Sequence, residues 1–163
     1  MHRLFITICI SFCFCLTSQG QSEAIKNFLE ENGEGRKYFV YQSVIRVLNI
    51  DGNADFNQLI RNVRRIVVHQ PNMREDSTGW SLHSLDLLKQ NLLDENFEEL
   101  IQAKEKTMRL TFLSRGEFEN AEFVLLIREA EKTYLAEVEG TLNMAYIGAL
   151  ANARISELTD YLN

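Results

Sequence analysis

Two histidines, His69 and His83, flank a polar loop over residues 71–79 that carries Met73, Arg74, Asp76, Ser77 and Thr78. Imidazole titrates near neutral pH and binds metals through its neutral nitrogen. Brought together with a carboxylate such as Asp76 or Asp86, the two rings could hold a metal ion or work as an acid–base pair of a hydrolase or metal-dependent enzyme. Their spacing does not require it, and two surface histidines beside a loop are the ordinary case. Ser77-Thr78 lacks the Gly-x-Ser-x-Gly frame of a nucleophile elbow, and there is no glycine-rich phosphate loop. Glu137 and Glu139 fall two apart, which on a strand puts them on one face. A solvated sheet face accounts for them more simply than a glycosidase pair set apart by a substrate, and the same holds for Glu98 and Glu99. Trp80, the single tryptophan, sits beside the loop as a core plug or as an exposed contact residue of the kind enriched at interfaces. The residues thus define no catalytic set, metal site or cofactor, and leave His69, Met73, Arg74, Trp80 and His83 as candidate ligand or partner contacts.

All three cysteines, Cys9, Cys13 and Cys15, lie in "ICISFCFCLTSQG". Arg3 precedes an uncharged run over residues 4–16, and Ser18 and Gly20 stand at −3 and −1 of a cut before Gln21. A basic start, a short apolar core and a small-x-small exit predict a secretory signal peptide over residues 1–20, followed by one domain over 21–163. The run is too short for an ordinary transmembrane helix, and no later stretch could serve as one. Cleavage removes every thiol, so disulfides, thiolate metal sites and a cysteine nucleophile are excluded from the mature chain. A lipid on Cys13 or Cys15 is disfavoured by bulky Phe12 and Phe14, which stand where a lipidation signal wants a small residue. The expected address is across the inner membrane, in the periplasm or against the outer membrane.

The net charge is −6, and removing Arg3 makes it one unit more negative. That balance argues against nucleic acid as a partner, since phosphate neutralisation dominates such binding. The basic concentration at Arg61, Arg64 and Arg65 reads as a solvated helix end, where cations suit the dipole.

Ser22 caps a short helix over 22–31 with Ala24, Ile25, Phe28 and Leu29 on one side. Residues 37–42 are extended, 43–49 helical, and a second helical piece begins at Asp55. Ile66, Val67 and Val68 mark a strand over 65–70. A helix from Ser81 sets Leu82, Leu85, Leu88 and Leu92 in register. Period-two alternation then predicts strands over 97–104, 107–115, 121–129 and 133–142, an antiparallel meander. Asn143 can cap a last amphipathic helix over 144–162 that covers the apolar side of the sheet. The expected class is α+β, with a mostly antiparallel sheet and helices packed on one face. The sheet edge and the loop over 71–80 are the expected contact surfaces.

The order and wording of "RKYFVYQSVIRVLNI", "RRIVVHQ", "NFEELIQAKEK", "TMRLTFLSR" and "AEFVLLIREAEKTYLAEVEGTLNMAYIGAL" resemble the Gram-negative secreted or lipoprotein family of unknown function DUF4252. The resemblance implies a small envelope-facing α+β domain with no activity or catalytic residues to transfer. Many members look lipidated at the signal cut, a feature this chain departs from at Phe12 and Phe14. The sequence therefore predicts a non-enzymatic domain that binds a protein or small molecule in the cell envelope.

Overall fold

A computed structural model describes residues 22–47, 49, 52–72, 79–104, 106, 108–117, 121–130 and 132–152. The expected signal peptide, Met73, Arg74 and Asp76, and the second half of the expected C-terminal helix lie outside these residues.

Helix α1 (Glu23–Asn32) opens with the Ser22 hydroxyl accepting from the Ile25 N–H and buries Ala24, Ile25, Phe28 and Leu29. Strand β1 (Arg36–Tyr41) and the short helices α2 (Gln42–Val47) and α3 (Ala54–Leu59) follow. The Asn53 side chain caps α3 by accepting from Asp55 and Phe56 N–H. Strand β2 (Asn62–Gln70) leads to helix α4 (Leu82–Asp94), capped by Ser81 and buried along Leu85, Leu88 and Leu92. Strands β3 (Glu98–Lys104), β4 (Met108–Arg115), β5 (Glu122–Glu129) and β6 (Lys132–Thr141) form the expected meander. All six strands make one antiparallel sheet in the order β1-β2-β6-β5-β4-β3. The chain is α+β, as its periodicities predict.

Two departures have clear physical reasons. The basic run does not end a helix. Ile60 and Arg61 turn the chain after α3, and Asn62 to Arg65 already belong to β2. A bulge between Val63 and Arg65 lets Arg64 out of register. Opposite it stands Gly140 at φ +114°, where a β-carbon would lie 2.3 Å from the Asn62 carbonyl oxygen. The strand can pass the bulge there because glycine leaves that space empty. Beyond β6, Asn143 accepts from the Ala145 N–H, but Met144–Asn152 winds as a 3₁₀ segment kinked at Tyr146.

Alternation divides the sheet into two faces, and helices cover both rather than one. On the upper face, Leu113, Val124, Leu126 and Leu135 pack with α1, α4, Phe97 and Trp80. Phe28 and Trp80 meet edge to face at 5.0 Å, an arrangement contributing about 0.5–1.5 kcal/mol beyond its buried area. On the lower face, Val68, Phe112, Phe123, Ile127, Tyr134 and Ala136 join Ile45, Leu59 and Ile60, with Met144, Tyr146 and Ile147 against them. Strand alternation supplies apolar residues to both sides through the centre of the sheet, so one layer of helices cannot suffice. The upper cover is uneven: towards β1 the same face opens, leaving Phe39 and Tyr41 46% and 54% exposed.

Candidate functional site

The open half of the upper face is built by three cross-strand rows. Lys37, His69 and Leu135 form the first, Phe39, Val67 and Glu137 the second, and Tyr41, Arg65 and Glu139 the third. Because partners in register point the same way, this pairing collects two carboxylates, an imidazole, two cations and two aromatic rings on one surface.

Arg65 makes a two-pronged ion pair with Glu139, Nε to Oε2 and Nη2 to Oε1, both at 2.7 Å. The hydrogen bonds it donates to Glu139, joined by one with Tyr41, hold its guanidinium above the ordinary arginine pKa, so it stays charged. The same guanidinium lies 4.9 Å from the centre of the Phe39 ring, and the Lys37 ammonium lies 5.6 Å from it. Two cations thus lie over one exposed aromatic ring, an attraction the ring quadrupole supplies.

His69 is buried, with Nε2 2.9 Å from Glu137 Oε1. A bond to a carboxylate oxygen places a proton on Nε2. In the neutral ring Nδ1 is then an acceptor, and it is buried without a partner. His69 therefore stands behind Glu137 and orients it, while Glu137 itself faces a cavity.

That cavity, about 630 Å³, has Val67, Glu137, Glu139 and Lys37 among its floor residues and Ser22, Ile25, Phe97 and Glu122 along its wall. Its size is that of a small-molecule site. The wall is fastened by Glu95, which accepts from the Ser22 hydroxyl at 2.7 Å, the Ala24 N–H at 2.5 Å and Arg115 at 3.0 Å. Arg115 also binds Glu122 at 2.5 Å and lies 4.6 Å over the Phe97 ring. This network ties the start of α1 to β4 and β5. A carboxylate receiving the first N–H groups of a helix also complements the helix dipole.

The five residues singled out from sequence separate. Trp80 is a core residue, 3% exposed and packed on Phe28. His83 is exposed on the first turn of α4, and no hydrogen bond or ion pair joins it to His69 among the described residues. Asp86 pairs with Arg109 at 3.5 Å, and no described hydrogen bond or ion pair joins it to either histidine. Met73 and Arg74 lie outside the described residues. No group of three or more His, Cys, Asp or Glu suited to a metal occurs among those described. Of the three that are described, His69 takes part in the polar cluster. The other members, Phe39, Arg65, Glu137 and Glu139, are ordinary strand residues whose signal is the alternation that puts Glu137 and Glu139 on one face.

A family model described as a domain of unknown function (DUF4252) matches residues 40–150, which span β1 from Val40 through β6 and most of the 3₁₀ segment. No curated protein and no solved structure matches.

Proposed function

The chain belongs to the DUF4252 family, a domain of unknown function, and from that premise we propose that it is a non-enzymatic binding domain working outside the cytoplasm, whose cavity takes a small uncharged hydrogen-bonding ligand. The observation that carries this reading is the state of the charges around the cavity. Glu139 is held by Arg65, Glu137 by His69 and Glu122 by Arg115. The lining sets Lys37 and Arg64 against Glu122, Glu137 and Glu139, and the ion-pair partners just outside it, Arg65, Arg115 and Glu95, bring the count to four charges of each sign. Such a lining offers oriented donors and acceptors beside apolar Ile25, Val67 and Phe97, which suits a neutral polar molecule. General acid–base work asks instead for a group poised to exchange its proton with a substrate. The address outside the cytoplasm, in the periplasm or against the outer membrane, rests on the charged start, apolar run and small-residue exit of residues 1–20.

The test is a thermal-shift screen of neutral sugars, polyols and blocked dipeptides. A ligand at about 100 times its dissociation constant stabilises by roughly 2.7 kcal/mol. Val67→Trp, which fills the floor, abolishes the shift. Hits that survive Val67→Trp, or the absence of any hit, overturn the reading. Mass spectrometry of the mature protein checks the address: an N-terminus at Gln21 supports it, and an intact leader refutes it.

A further inference from the structure

The cavity is not the one exposed feature of the open half. Strand β1 is an edge of the sheet, paired to β2 on one side and to no strand on the other among the described residues. Free edges invite pairing, and folded proteins usually blunt them with charge, proline, a bulge or a covering segment. β1 contains no proline, and its register with β2 runs unbroken from Arg36 to Tyr41. Charge is present at one end, in Arg36 and Lys37. The other end carries exposed Phe39 and Tyr41, and the helix that follows adds exposed Val44 and Val47. Of the six exposed large hydrophobic residues among those described, four fall between positions 39 and 47. An edge designed solely to repel strands would not concentrate apolar surface there.

The charge around this edge is also one-sided. Residues 36–49 hold Arg36, Lys37 and Arg46 and no carboxylate, in a chain whose net charge is −6. Exposed Arg61 and Arg64 lie just beyond, at the start of β2. Arg65 is neutralised by Glu139, but these five cations have no hydrogen-bonded acid among the described contacts. Two copies meeting edge to edge through β1 would place six cations, Arg36, Lys37 and Arg46 of each, in one interface to which residues 36–49 contribute no carboxylate, which like charge disfavours. An acidic strand meets the opposite sign.

We propose that the free edge of β1 is a docking strand for an extended acidic segment of another protein, which adds a seventh strand to the sheet. Main-chain hydrogen bonds along β1 supply affinity, and alternate side chains supply specificity. On the upper face the incoming strand lies beside Lys37, Phe39 and Tyr41. On the lower face it lies beside Arg36, Tyr38 and Val40. The segment this surface fits has aromatic or β-branched residues beside positions 38–41 and Asp or Glu beside 36–37. The inference rests on the outer edge of β1; Lys37 and Arg64 also border the cavity, whereas Arg36, Phe39 and Tyr41 do not.

A displayed library of random linear dodecapeptides, panned on the full chain, tests it. Enriched peptides are expected to join an aromatic or β-branched run to a cluster of acids. A chosen peptide should protect the amides of β1 from hydrogen exchange. Its affinity should fall roughly tenfold, about 1.4 kcal/mol, in the double variant Arg36→Glu/Lys37→Glu, and by a similar factor in Phe39→Glu. Both sites are exposed, so an unchanged melting temperature confirms that the fold is intact. Panning on the charge-reversed variant should enrich basic peptides. Enrichment without acidic bias, equal binding to wild type and the reversed variant, or protection confined to other strands overturns the proposal. So does sedimentation showing self-association of the wild-type chain that Phe39→Glu abolishes, which would make a second copy the occupant.

Discussion

Phe28 and Phe39 stand over the same face of the same sheet, yet one is 5% exposed and the other 46%. Phe28 belongs to the closed half, where α1 and α4 seal β4, β5 and β6 beneath Trp80, Leu88 and Leu92. Phe39 belongs to the open half, where the cations and uncovered rings of β1 and β2 face the carboxylates of β6. The closed half holds its residues by apolar contact in nearly dry surroundings, so each deletion leaves a void. The open half holds them by ion pairs and cation–ring contacts at a wet surface, where each interaction is worth little to folding. The molecule thus separates what keeps it folded from what it can offer a ligand.

Truncations measure that separation directly. Trp80→Ala, in the closed half, removes a buried ring and its edge contact with Phe28, and should cost about 3–5 kcal/mol in chemical denaturation. A cost under 1 kcal/mol would show that the helices float over the sheet. Glu95→Ala strips three donors of their acceptor at the seam of the two halves, and hydrogen bonds to a charged group are worth roughly 1.5–3 kcal/mol. The sharper readout is amide exchange, which should quicken at the start of α1 before it does in β4 or β5. Gly140→Ala sets a β-carbon against the Asn62 carbonyl at a left-handed φ, a strain of order 1–3 kcal/mol. The melting temperature should fall, and the β2–β6 amides should lose protection first. At the small end, Phe39→Ser and His83→Ala should each change stability by less than about 0.5 kcal/mol. A loss near that of Trp80→Ala at Phe39 would erase the distinction between the halves.

The elements were legible in the sequence wherever the physics is local. Ser22 and Ser81 announced their helices, and the alternation of Met108, Leu110 and Phe112, or of Phe123, Leu125 and Ile127, announced strands within a residue of their true bounds. The start of β2 was not legible, because Val63 fits the helical spacing of Phe56, Leu59 and Ile60, and the bulge at Arg64 breaks the strand period that would have corrected it. The double cover was hidden for another reason: within a strand such as β5 both Val124 and Phe123 are apolar, and alternation alone does not say which side receives the helices. The polar cluster was least visible. Glu137 and Glu139 could be placed on one face, but their partners depend on β2 lying against β6, and no local pattern ties Arg65 to Glu139 or His69 to Glu137. His69 and His83 drew attention through side-chain type and sequence proximity, and burial then distinguished them.

The sheet order also sets a timetable. Strands β3 to β6 follow one another as neighbours, so their contacts close over short stretches of chain. β2 finds its second partner only in β6, pairing Asn62 with Thr141 and His69 with Leu135. Contacts of such long sequence separation form late, because chain must be looped before they reward the loss of entropy. The meander can therefore assemble as a unit while the first two strands wait for the last. During synthesis the β2–β6 seam, and with it the cavity lined by both strands, cannot close until residue 141 has emerged.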